Sequence, residues 1–154
     1  MLTWHTKDKS SWGEGPWMEE PDKAQWIGEA ELDCLIVRGP SGALCGYVGV
    51  PESHPFFGKD YNAVDTVDVH GGLTFSDKCH PTEDPAKHIC HIGELAANKE
   101  VWLLGFDCAH SGDYCPDCGM RFGIRGFEQY RNFNYVQREV EVLGWQLKLA
   151  AGPA

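Results

Sequence analysis

The chain predicts an α+β fold: one domain with a mostly antiparallel sheet of four to six strands and a single long carboxy-terminal helix packed on a face. Three observations carry this. Phe133, Val136, Val140, Leu143 and Leu147 recur at spacings of three and four, which places them on one stripe of a helix from about 127 to 150. Upstream, short apolar runs are separated by Gly and Pro turns, the pattern of strands. With 154 residues, there is room for one sizeable core and too little chain for two ordinary domains.

Taken in order, residues 1–25 (with SSWGEGPWMEEPDK) show neither helical nor strand period and predict an irregular arm that packs through Trp12 and Trp17; the domain proper is 26–154. Cys34–Val50 holds two apolar runs about Arg-Gly-Pro-Ser-Gly and predicts a β-hairpin. PESHPFFGKDY at 51–61, with two prolines and a glycine, predicts a loop carrying His54, Lys59, Asp60 and Tyr61. Residues 64–70 alternate, Val67 and Val69 against Thr66, Asp68 and His70, which predicts a strand with one face on the core. Gly71-Gly72 then permits a sharp turn before Leu73–Phe75 resumes the strand pattern. Residues 77–99 are polar and proline-bearing, an excursion with a short helical turn near Ile92–Asn98. Val101–Phe106 is apolar on both faces, as a covered interior strand should be. Gly144 costs the helix about 1 kcal/mol relative to alanine, which suggests close packing there. The stripe must cover the sheet or pair with a second copy, so a homodimer is a further expectation.

Composition excludes several classes. Thirteen basic against 23 acidic residues give a net charge of −10, which repels an extended nucleic-acid backbone but not a small phosphorylated ligand. No run reaches the roughly 20 apolar residues of a membrane span, and MLTWHTKDKSSW has no signal-peptide core. A cytoplasmic protein is expected, and with it seven reduced cysteines rather than disulfides.

The chemistry concentrates in two segments where strands stop: VDVHGG (67–72) and GFDCAHSGD (105–113). Together they offer Asp68, His70, Asp107, His110 and Asp113, the residue types of an acid/base pair or of a nitrogen/oxygen metal site. As turn formers, Asp107 and Asp113 could equally be structural, and His70 could satisfy a buried carbonyl. If the segments meet, the ligand-binding set is Asp68, His70, Gly71, Gly72, Asp107, His110 and Asp113, with Lys59, Tyr61 and Arg121 to hold a phosphate and stack on a ring. His70, His110 and Asp107 are then the catalytic candidates, should the protein be an enzyme.

Cys115-Pro-Asp-Cys118-Gly119 is the second signal. It matches half of a zinc knuckle, with Cys108 and His110, Cys79 and His80, or Cys90 and His91 to complete four ligands; zinc is the one cofactor suggested, at Cys115, Cys118, Cys108 and His110. A thiol–disulfide reading needs a helix immediately after the first cysteine, and Gly119, Gly123 and Gly126 argue against one.

Six strings, EPDKAQW (20–26), GALCGYVGVPESHPFFGKDY (42–61), VDVHGGLTFS (67–76), ICHIGE (89–94), VWLLGFDCAHSGD (101–113) and YRNFNYVQREVEVL (130–143), resemble a family of small bacteriophage and prophage proteins of uncharacterised function. The resemblance spans most of 20–145 and marks His70, Gly71, Gly72, Cys90, His91, Asp107, Cys108 and His110, whereas CPDCG is not part of the family pattern. It implies a phage-type protein of the host cytosol. Small phage accessory proteins with polar pockets often counter host defence, and by that analogy the expected activity is sequestration of a nucleotide-derived signal, such as a cyclic ADP-ribose derivative or a cyclic dinucleotide. The alternative is a phosphodiesterase-type hydrolase with a His/Asp site, metal-assisted or not.

Overall fold

The computed structural model describes residues 1–79, 84–91, 100–118 and 127–153. Six strands, β1 (Leu2–Trp4), β2 (Lys23–Ile27), β3 (Asp33–Arg38), β4 (Leu44–Val50), β5 (Phe75–Lys78) and β6 (Trp102–Asp107), form one sheet of order β1-β2-β3-β4-β6-β5. Every pairing is antiparallel. One long helix, α1 (Phe133–Ala151), lies across β3 and β4. The fold is α+β, with the predicted helix crossing a sheet at the upper end of the expected strand count.

The apolar stripe of α1 explains this packing. Val136, Val140, Leu143 and Leu147 are fully buried against Ala24, Cys34, Ile36, Leu44, Val48, Leu104 and Phe106. Gly46 lets the helix settle: a Cβ there would lie 2.6 Å from both Phe106 and Val140. On the other side of the sheet, Leu35, Val37, Tyr47 and Leu103 form a second buried layer with Val101 and Ile89. Two-sided cover is why β3, β4 and β6 read as continuous apolar runs.

The ends of α1 are set by identifiable groups. Asn132 caps it, its side chain accepting from the Tyr135 N–H. A Glu20 carboxylate oxygen accepts from the Phe133 N–H at 2.7 Å, adding negative charge where the helix dipole favours it. Near the other end, the Nε2–H of buried His54 donates to the Leu147 carbonyl at 2.7 Å while its Nδ1 accepts from the Phe56 N–H.

Several expectations need correction. The arm at 1–25 packs through buried Trp12 and Trp17 as expected, yet it also supplies β1 and the start of β2. Residues 64–70 are not a strand. Their backbone runs along α1: the Asp68 N–H donates to Gln146 Oε1, Gln146 Nε2 donates back to the Asp68 carbonyl, and the His70 N–H donates to Glu139. The alternation was real, since Val69 is buried and Val67 packs partly buried on the core while Thr66 and Asp68 are exposed, but helix side chains rather than a neighbouring strand take the backbone groups. Gly144 is buried without being crowded, a Cβ there meeting only Ala30 at 3.7 Å. Cys79 and Cys90 form a disulfide, with Cα atoms 4.8 Å apart, against the expectation that all thiols are reduced; Cys34, Cys45, Cys108, Cys115 and Cys118 are free. The helical turn expected near Ile92–Asn98 lies outside the described residues. Among the described residues no helix is long and apolar enough to cross a membrane.

Candidate functional site

Both chemical segments reach the same end of the sheet. Asp107 ends β6 opposite Cys45 at the start of β4, and the Thr74 N–H, just ahead of β5, donates to the Gly105 carbonyl. The 67–72 segment therefore arrives beside the 107–113 segment, and the His70 and His110 rings stand 6.3 Å apart between centroids.

The two imidazoles are used differently. His70 is saturated: Nδ1 lies 2.8 Å from the Tyr135 hydroxyl, and Nε2 lies 2.8 and 3.0 Å from the two Asp113 oxygens. Nε2–H donating to Asp113 and the Tyr135 O–H donating to Nδ1 satisfy all of these contacts. Asp113 in turn accepts from Arg131 Nε at 3.0 Å and from the His110 N–H at 3.1 Å. Its carboxylate is 1% exposed. Burial alone would raise its pKa, but the His70, Arg131 and backbone hydrogen bonds outweigh burial and hold it below the ordinary carboxylate value. Arg131 also stacks over the Tyr135 ring at 5.1 Å.

His110 is held by one nitrogen. Nε2 is buried 3.2 Å from Asp107 Oδ1, an ion-pair distance without hydrogen-bond alignment. The Asp107 carboxylate is itself fixed by the Ala109 N–H and the Thr74 hydroxyl, both at 3.0 Å. The ring rests against Gly71, where a Cβ would fall 2.3 Å from His110 Cδ2 and 2.4 Å from Nε2. Gly71 also has φ +69° at the third position of a turn closed by the Gly72 N–H and the Val69 carbonyl. Glycine is thus required there twice, by conformation and by contact.

His110 lines a cleft of about 220 Å³ with Ser111, Asp113, Cys115, Cys118 and Phe127. Phe127 is 85% exposed. Cys115 and Cys118 are half-buried on the same wall.

Other predicted site residues stand apart. The Asp68 side chain is exposed while its backbone is tied to Gln146. The Lys59 carbonyl accepts from Trp102 Nε1, at the opposite end of β6 from Asp107 and roughly 17 Å from it at strand rise. Tyr61 sits on β5, its N–H donating to Ser76 Oγ. Gly72, with φ +79°, meets nothing within 4 Å. Arg121 lies outside the described residues. Cys108 is buried and its thiol is pushed far up, by burial first and then by Asp113. Among the described residues no three His, Cys, Asp or Glu side chains are grouped as a metal site requires, so Cys108, His110, Cys115 and Cys118 are not assembled as ligands of one zinc ion.

The residues that sequence reasoning missed are Arg131, Tyr135, Glu139 and Phe127. The first three recur every fourth residue beside the apolar stripe, a polar stripe facing 67–72, and that spacing was the available signal. Compared with protein-family models, with curated proteins and with solved structures, the chain matches none of them.

Proposed function

We propose that this chain is a phage-type accessory protein that binds and sequesters a nucleotide-derived small molecule in the His110 cleft. The observation that carries the reading is one concavity in which an imidazole beside Asp107 stands with the exposed ring of Phe127. His110 is a third exposed and lines the cleft, where its ring can meet a ligand's polar group. An exposed aromatic ring beside it suits a base, since stacking contributes about 1–3 kcal/mol per base. The size supports a narrower ligand class: 220 Å³ is below the roughly 300–1,000 Å³ of drug-sized sites. A mononucleotide-sized molecule, or one base of a larger one, fits this volume better than a whole cyclic dinucleotide.

A second reading, hydrolysis, is favoured by the Asp107–His110 pair, in which a carboxylate orients an imidazole that could move a proton. Saturation of His70 weighs for binding, because it leaves His110 as the less engaged imidazole of the pair. Incubation with a panel of mononucleotides, cyclic ADP-ribose and cyclic dinucleotides, followed by denaturation and recovery of the ligand, separates the readings. A thermal shift with intact recovery supports sequestration, and loss of the shift in Phe127→Ala places it in this cleft. Turnover supports the hydrolase, and absence of any shift or turnover across the panel refutes both.

A further inference from the structure

The Cys115–Cys118 pair is not needed by the nucleotide reading, and its geometry is more specific than a loop motif requires. Residues 116–118 are helical, beginning directly after Cys115. The glycines that argue against a helix, Gly119, Gly123 and Gly126, lie outside the described residues. In a helical turn, side chains three apart stand about 5–6 Å from each other at Cβ, and the corresponding Cα separation falls within the roughly 4.4–6.8 Å of disulfides. Pro116 occupies the first helical position, where its fixed φ is already helical and its missing N–H costs nothing.

The turn is also braced from below. The Asp117 N–H donates to the Ser41 carbonyl at 3.1 Å. Pro116 is buried over Gly42, where a Cβ would stand 3.2 Å from it. Both sulfur-bearing residues are half-buried and line the cleft beside His110, whereas Cys34 and Cys108 are buried and Cys79 is paired with Cys90.

We infer that Cys115 and Cys118 form a dithiol–disulfide couple that exchanges with low-molecular-weight disulfides entering the cleft. In the forward direction the Cys115 thiolate attacks one sulfur of a substrate R–S–S–R, a mixed Cys115–S–S–R bond forms, and RS⁻ leaves and takes up the proton released from Cys115. Cys118 then gives up its proton and attacks Cys115 Sγ, closing the internal disulfide and expelling the second RS⁻, which takes up that proton. Two electrons pass from the protein dithiol to the substrate, which becomes two RSH; two equivalents of thiol reverse the cycle. Burial is the main influence raising the Cys115 thiol, and Cys118, Asp113 and Asp107 add to it against the opposing influence of Ser41. Attack by Cys115 therefore proceeds through a small thiolate fraction at neutral pH and quickens as pH rises.

The test uses the full chain, reduced and then equilibrated anaerobically with mixtures of reduced and oxidised glutathione, followed by alkylation and peptide mass spectrometry. The expected result is cooperative loss of alkylation at Cys115 and Cys118 together, linked to each other, the oxidised-to-reduced ratio of the pair rising tenfold for each tenfold rise in [GSSG]/[GSH]². In Cys118→Ser the first step should be trapped as a glutathione adduct on Cys115, forming at least about tenfold faster than on Cys34 or Cys108, whose burial blocks access. Independent alkylation of the two cysteines at every ratio overturns the inference. So do adducts without an internal bond, or a bond from Cys115 to Cys45 instead. None of these outcomes bears on nucleotide binding, which the recovery experiment decides separately.

Discussion

Substituting the two adjacent glycines singly separates a conformational requirement from a contact requirement. Gly71 and Gly72 both have φ in the left-handed region, at +69° and +79°. An alanine at either position meets the left-handed penalty of about 1–2 kcal/mol, offset by roughly 0.4–1 kcal/mol from the stiffer unfolded chain. Gly72→Ala should therefore cost about 1 kcal/mol and nothing more, because no atom lies within 4 Å of its Cβ position. Gly71→Ala bears the same cost and also drives a methyl to 2.3 Å from the His110 ring, an overlap that side-chain displacement relieves at about 1–3 kcal/mol.

The two variants should thus differ by about 1–3 kcal/mol although they neighbour each other and change the same group. In urea, with a slope of about 1–3 kcal/mol/M, that gap moves the unfolding midpoint by on the order of 1 M. Imidazole proton resonances give the second readout: His110 should shift strongly in Gly71→Ala and hardly at all in Gly72→Ala. Equal midpoints for the two variants, with His110 resonances unmoved in both, would refute the placement of His110 against Gly71.

Three further substitutions probe the supports of the site. Asp113→Asn should flatten the acid limb of stability measured by denaturant titration: the native pKa lies below the unfolded one, so this group's contribution is complete above about pH 4 and fades as pH falls through the native value. A variant that keeps the wild-type acid limb contradicts the His70–Asp113–Arg131 network. His54→Ala leaves the Leu147 carbonyl and the Phe56 N–H buried without their partner, for a loss of about 1–3 kcal/mol by thermal unfolding, with the cleft unchanged. Gly144→Ala should raise stability by about 1 kcal/mol, since the helix gains propensity and the methyl meets only Ala30 at 3.7 Å; a lowered melting temperature would show that the helix sits closer to the β2–β3 turn.

Where a pattern depends on one element and its cover, it was legible in the sequence. The α1 stripe, the Cys34–Val50 hairpin and the two-sided β6 run each follow from burial alone. Legibility failed where partners come from far along the chain. Alternation at 64–70 reports that Val67 and Val69 face the core, but it cannot say whether the backbone bonds a strand or, as here, Gln146 and Glu139. The convergence of His70 with His110 was readable as a possibility at strand ends; the saturation of His70 was not, because Tyr135 stands 65 residues away. Asp113 looked like a turn former beside Gly112, and it is also the hub of the network. Gly119 argued against a helix that begins three residues before it.

The sequence gives the two histidines equal standing, and the structure divides their labour. His70, 12% exposed, has both nitrogens engaged and braces the 67–72 segment against α1 and Asp113. His110, a third exposed, lines the cleft with its Nε2 at ion-pair distance from Asp107 and no hydrogen bond to it. A group that must break two hydrogen bonds before acting is a poor ligand donor, and one held by a single carboxylate is poised to be a good one. His70→Ala should consequently lower stability by about 2–3 kcal/mol, leaving buried Asp113 with fewer donors, and weaken ligand binding only through the displaced loop. His110→Ala should do the reverse, with stability within about 0.5–1 kcal/mol of wild type and binding in the nucleotide panel lost. Both unfolding and binding measured on the two variants decide the matter: if His70→Ala is the binding defect and His110→Ala the stability defect, the roles assigned from their hydrogen bonds are inverted and the cleft is not the site.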